Sequence, residues 1–201
     1  MKDSIDRIVK NGNSELLLEL TKRVGNATSS EAMTESMNVV AVTTLNKLMT
    51  QENKMKAERV FRIDDVDDLF IVKPDTETIT MKSGLCNDPD IVEWKLEVYP
   101  GLKELLVGDD CLQFVKGFEL RGFKCLEKVE IGMRCFCKSE GGEMEVKDCQ
   151  KLKSVKLGDG CCVKWSSFVL KSCGVEEVSI GDNCFVNCEN TVFESESSVI
   201  R

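Results

Sequence analysis

Leu126-x-x-Val129-x-Ile131-Gly132-x-x-Cys135 is written four times into this chain with the same internal offsets. The other copies are Leu102-x-x-Leu105-x-Val107-Gly108-x-x-Cys111, Leu152-x-x-Val155-x-Leu157-Gly158-x-x-Cys161 and Val175-x-x-Val178-x-Ile180-Gly181-x-x-Cys184. Successive copies start 24, 26 and 23 residues apart. A fixed strand-and-turn unit therefore alternates with a slightly elastic return segment, which is the signature of a solenoid. A degenerate first copy lies near Ile79, in Thr78-Ile79-Thr80-Met81 ahead of Gly84.

The return segments repeat as well. Trp94-x-Leu96-x-x-Tyr99, Phe118-x-Leu120-x-x-Phe123, Met144-x-Val146-x-x-Cys149 and Phe168-x-Leu170-x-x-Cys173 each pair two alternating apolar residues with a third buried type. Each coil is expected to hold two short parallel strands, in two sheets facing across a narrow core. After the last copy, Thr191-Val192-Phe193 can supply a further piece of the second sheet.

Residues 1–60 have a different grammar. Helices are expected over Asp3–Lys10, over Ser14–Val24, and from the capping box Thr28-x-x-Glu31 towards Lys54. In the last, Met33, Met37, Val40, Ala41, Leu45 and Leu48 form one apolar stripe. Between Phe61 and Met81 the character turns to short extended runs, Phe61-Arg62-Ile63, Leu69-Phe70-Ile71-Val72 and Thr78–Met81. The fold class expected is α+β, an N-terminal helical segment or cap over 1–60 and a leucine-rich-repeat-like parallel β-solenoid over 61–201.

The stretch Val178-x-Ile180-Gly181-Asp182-Asn183-Cys184-Phe185-x-x-Cys188 resembles the BspA-type leucine-rich repeat, with Cys184 at that unit's small-residue position. The resemblance covers roughly residues 76–194. The return segments here are longer than in the usual unit, its common proline is missing, and one copy alone keeps the second cysteine. The resemblance implies a ladder used mainly for protein contact and brings no catalytic residues.

Composition narrows the function. Of 201 residues, 27 are basic, 35 acidic and none is histidine. The part before residue 76 carries 11 basic and 13 acidic residues, the rest 16 and 22, so both parts are acidic. Such a surface repels nucleic-acid phosphates and anionic membranes, and neither is expected as a partner. Absence of histidine removes Ser/His/Asp and Cys/His catalysis and imidazole metal sites. With no signal-like or membrane-spanning run, a soluble cytoplasmic protein is expected.

All eleven cysteines lie between Cys86 and Cys188. A thiol repeated at one tight turn position specifies no unique disulfide and reads as a small buried hydrophobe. Cys135-x-Cys137 and Cys161-Cys162 lack the paired knuckles of a zinc site, and Asp64-Asp65-Val66-Asp67-Asp68 lacks the ligand order of a calcium loop. No metal and no cofactor is expected.

Function is then drawn on outward positions. The first and second positions after the leading aliphatics read Lys103, Glu127, Lys153, Glu176 and Glu104, Lys128, Ser154, Glu177, with signs that alternate up the stack. On the second strand the outward column reads Glu97, Arg121, Lys147, Lys171. Arg121, Lys147 and Lys171 are the candidate face for an acidic partner, because adjacent like charges are what a purely structural ladder avoids. The expected function is a non-catalytic protein-protein interaction scaffold, with a thiol-rich metal-binding or redox-responsive protein as the alternative. No capping helix follows the last copy, so either end-to-end self-association or membership of a longer repeat array is expected.

Overall fold

A computed structural model describes residues 42–43, 46–51, 53–55, 57, 59–71 and 73–195. The chain divides into two compact units, Met1–Ala57 and Glu58–Arg201. In the first, the described residues, which begin at 42, are α-helical. The helices expected over 3–10 and 14–24, and the capping box at Thr28, lie outside the described residues.

The second unit is a parallel β-solenoid. One sheet contains β1 (Val60–Ile63), β2 (Thr78–Met81), β3 (Glu104–Val107), β5 (Lys128–Ile131), β7 (Ser154–Leu157) and β9 (Glu177–Ile180), in that order. The other contains β4 (Gly117–Arg121), β6 (Glu143–Lys147), β8 (Ser167–Cys173) and β10 (Asn190–Ser195). Every pairing is parallel, and in the first sheet Ile79, Leu105, Val129, Val155 and Val178 fall in one register column. Met81, Val107, Ile131, Leu157 and Ile180 form the next inward column. This follows from period-two alternation: a one-residue slip would turn every aliphatic outward.

Both sheets feed one core. Leu105, Val129 and Val155 share it with Phe118, Leu120, Met144, Val146, Phe168 and Leu170. At its centre Phe136 packs against Phe118 and Trp165, with ring centroids 5.4 and 5.2 Å apart. The buried Trp165 indole donates to Ser139 Oγ at 2.7 Å, and that hydroxyl donates to the Val115 carbonyl at 2.6 Å. Both polar groups are thereby satisfied in a dry interior.

The expected extended run Phe61-Arg62-Ile63 lies within β1, which pairs with β2 over its whole length. Two segments differ from their sequence expectation. In the run Leu69–Val72, Leu69 and Phe70 belong to a 3-10 helix, Asp67–Phe70, rather than a strand, and Val72 lies outside the described residues; the Asp68 carboxylate accepts from the Asp64 and Asp65 backbone N–H groups at 3.0 and 3.1 Å. Thus Asp68 ties the acidic loop back on itself. The segment Trp94–Tyr99 buries Trp94, Leu96 and Tyr99 but is joined to β4 by the single bridge Glu93 to Gly117. A turn closed by the Tyr99 N–H on the Leu96 carbonyl, at 3.0 Å, ends its course along the sheet.

Candidate functional site

The surface columns and the thiol columns are the two features with chemistry to offer, and they face opposite ways. The side-chain alternation of β4, β6, β8 and β10 sends Arg121, Lys147, Lys171 and Glu194 outward in one register column. The structure therefore brings the three singled-out cations side by side, while Glu97 lies outside any strand. It also supplies each with a carboxylate. Arg121 donates to Glu119 at 2.9 Å and pairs with Glu145; Lys147 pairs with Glu145; Lys171 reaches Glu194 at 2.8 Å.

Glu145 owes this to register. Glu119 and Glu145 sit two residues before Arg121 and Lys147, so the acidic column runs beside the basic one. Lys147, then Arg121, hold the Glu145 carboxyl below its ordinary value against the opposing effect of partial burial. Counting Glu119, Glu143, Glu145 and Glu194 against Arg121, Lys147 and Lys171, the face has four carboxylates to three cations. It is a mixed-charge surface in which the basic ridge is already neutralised.

The first sheet behaves likewise. Glu77 receives Arg59 at 2.6 Å and Lys103 at 2.9 Å, and Lys103 is the chief cause of its lowered pKa. Further along, Lys128 pairs with Glu130 at 2.6 Å and Lys156 with Glu177 at 3.1 Å. Around the turns Arg134 makes a two-pronged contact with Asp110, at 2.7 and 2.6 Å. Each such exposed pair is worth about 0–1 kcal/mol, so the columns tune register more than stability.

The thiols point inward. Cys135, Cys161 and Cys184 donate S–H to the carbonyls of Gly108, Gly132 and Gly158 of the preceding coil, at 3.2, 2.9 and 3.1 Å. Cys111 makes the same bond to Lys82 at 3.2 Å. A second thiol column, Cys149 and Cys173, ends the return strands and reaches back to Leu120 and Val146. The sequence marks the members of this second column as buried types but does not show their acceptors, the carbonyls of the preceding return strand.

All eleven cysteines are free thiols, and seven are buried. Burial pushes Cys86 up to about 11 and raises Cys162 as well. Inside the first column the stacked thiols polarise one another: the neighbouring Cys135 and Cys184 hold the Cys161 thiol down, and Cys135 is pushed up by its Cys111 and Cys161 neighbours. Cys161 itself has no exposed surface, so this polarisation faces no reagent. Among the described residues no cluster of three or more Cys, Asp or Glu side chains is placed to hold a metal ion.

Trp94 and Trp165 are core residues rather than a platform for a ligand. No described helix is long and apolar enough to cross a membrane. No family model, curated protein or solved structure matches the chain.

Proposed function

We propose that this chain is a non-catalytic protein-protein interaction scaffold of the leucine-rich-repeat type, related to BspA-like repeats and working in the cytoplasm. The observation that carries the reading is the division of labour between faces. Reactive side chains are turned inward to main-chain carbonyls, while long charged side chains stand outward in register along both sheets. A rigid ladder of this kind presents pre-ordered groups, which lowers the ordering cost of binding another protein.

The partner face is the outer surface of β4, β6 and β8, with Arg121, Lys147 and Lys171 as its cations. Because these cations already have carboxylate neighbours, the matching surface is one of alternating charge rather than an acidic block. Affinity purification from native lysate, with the wild-type chain and a triple Arg121→Glu, Lys147→Glu, Lys171→Glu variant as baits, tests this. A partner retained by the first and lost by the second is expected. Equal recovery, or no partner above background for a folded wild-type bait, refutes it. The thiol columns favour no second reading, since Cys111, Cys135, Cys149, Cys161, Cys173 and Cys184 donate to main-chain carbonyls of the preceding coil.

A further inference from the structure

The two ends of the first sheet are unlike. At one end Phe61 and Ile63 of β1 are 3 % and 1 % exposed. At the other, Ile180 of β9 is 40 % exposed, and in the same coil Val186 and Phe193 are 62 % and 38 % exposed. Yet Ile180 stands in the inward column of Met81, Val107, Ile131 and Leu157, all buried. It is a core residue with no coil upon it among the described residues.

The main chain there repeats the same message. The carbonyls of Glu77, Lys103, Glu127 and Lys153 each accept two N–H groups from the next coil, and Glu176 is the next member of that series. The carbonyls of Met81, Val107, Ile131 and Leu157 accept from Gly108, Gly132, Gly158 and Gly181, and Ile180 is next. In the turns, the Asp109 and Asp159 carboxylates accept the Met133 and Asp182 N–H groups, and the Asp182 carboxylate takes the next place. The end of the sheet is therefore a template whose register is already set.

Charge says what fits the template. Residues 174–195 contain Glu176, Glu177, Asp182, Glu189 and Glu194 and no lysine or arginine. Two such ends brought together would oppose carboxylate to carboxylate, and a second copy's β1 has its apolar residues buried already. The column Lys103, Glu127, Lys153, Glu176 alternates in sign, so its next member is a cation. β7 shows the pattern that suits β9: it pairs along the opposite edge, carries Lys151, Lys153 and Lys156 around Leu152, Val155 and Leu157, and sends Lys156 to Glu177.

We propose that β9 and the turn after it accept, as the next parallel strand, an extended segment of a partner protein in which aliphatic residues alternate with lysine or arginine. The proposal rests on the scaffold reading and names the partner's chemistry at a second surface.

The probe is a fluorescent peptide with the sequence of residues 151–158, Lys-Leu-Lys-Ser-Val-Lys-Leu-Gly, added to the full chain. Saturable binding is expected, weakening roughly tenfold or more as salt is raised, since the attraction is between exposed opposite charges. A peptide with Lys151→Glu, Lys153→Glu and Lys156→Glu is expected to lose about tenfold or more in affinity. Glu176→Lys and Ile180→Asn in the protein, both at exposed positions, are expected to do the same without shifting the unfolding midpoint. Hydrogen exchange should show new protection over 176–182.

No binding at millimolar peptide overturns the proposal. So does binding indifferent to Glu176→Lys and Ile180→Asn. Protection confined to β4, β6 and β8 overturns it while leaving the scaffold reading intact. Self-association that Ile180→Asn abolishes identifies a second copy as the occupant and also overturns it.

Discussion

Gly158→Ala is the sharpest probe of the stacked turns. A Cβ built on Gly158 lies 2.7 Å from Met133 N and 2.8 Å from Gly132 C, both main-chain atoms of the coil beneath. An ordinary contact needs about 3.5 Å, so the coils would have to part by roughly 0.7 Å. They are held together there by the Gly158 N–H on the Ile131 carbonyl at 2.8 Å, which strains before the clash is relieved. Overpacking against such a backbone costs about 1–3 kcal/mol, and the lost freedom of the unfolded chain returns about 0.4–1 kcal/mol. A net loss of about 1 kcal/mol is expected. Gly117 is the matched control, because a Cβ there meets nothing within 4 Å. Gly117→Ala should keep only the favourable term, about 0.4–1 kcal/mol. Urea denaturation followed by circular dichroism reads both variants, and heating should separate their midpoints by roughly 4–8 °C for a unit of this size. If Gly158→Ala proves as stable as Gly117→Ala, the close approach of the coils is not what requires glycine.

Two further outcomes follow from the same geometry. In native protein, alkylation read by mass spectrometry should label the partly exposed Cys125, Cys137, Cys184 and Cys188 first, and the seven buried thiols at comparable rates only after denaturation; fast native labelling of Cys135 or Cys161 would contradict their inward placement. Glu145 is held below the ordinary 4.5 by Lys147 and Arg121, so its contribution is present above 4.5 and is lost as pH falls through the lowered folded value. Glu145→Gln should therefore destabilise at neutral pH and have a shrinking effect in acid, checked by denaturation at several pH values.

Period-two alternation made the first sheet legible, because Val129 and Ile131 have no other way to be buried together with Val155 and Leu157. The same rule reached Thr191–Phe193, which lies within β10 and pairs in register with β8. What escaped depends on neighbours that no single column reveals. Arg121, Lys147 and Lys171 look like a basic ridge when read alone, but Glu119 and Glu145 stand one pleat away on the same face. The turns are less legible still. Leu112, Phe136 and Phe185 adopt positive φ of 54°, 56° and 51°, a conformation that bulky residues avoid. They hold it because each aromatic or aliphatic side chain packs into the core and each backbone N–H finds a carbonyl of the coil beneath, from Leu85, Cys111 and Cys161.

The glycine and thiol columns have different reasons, and the start of the stack separates them. Lys82 occupies the place that Gly108, Gly132, Gly158 and Gly181 hold in later coils, and its carbonyl still receives a thiol, from Cys111. The thiol bond thus needs a carbonyl and not a glycine. Glycine is needed only where the coil beneath makes the same turn: a Cβ on Gly132 or Gly181 meets the preceding glycine's carbonyl carbon at 2.6 or 2.7 Å. Beneath Lys82 the chain instead leaves β1 into the loop that Asp68 ties back, so a side chain has room there. Cysteine suits its own column because it is small enough for the turn, cheap to bury and still able to donate. Serine would donate more strongly but brings a hydroxyl that is costlier to take from water, and alanine would leave the glycine carbonyl without that donor. The first repeat looks degenerate in sequence because it is the one repeat with no equivalent turn beneath it.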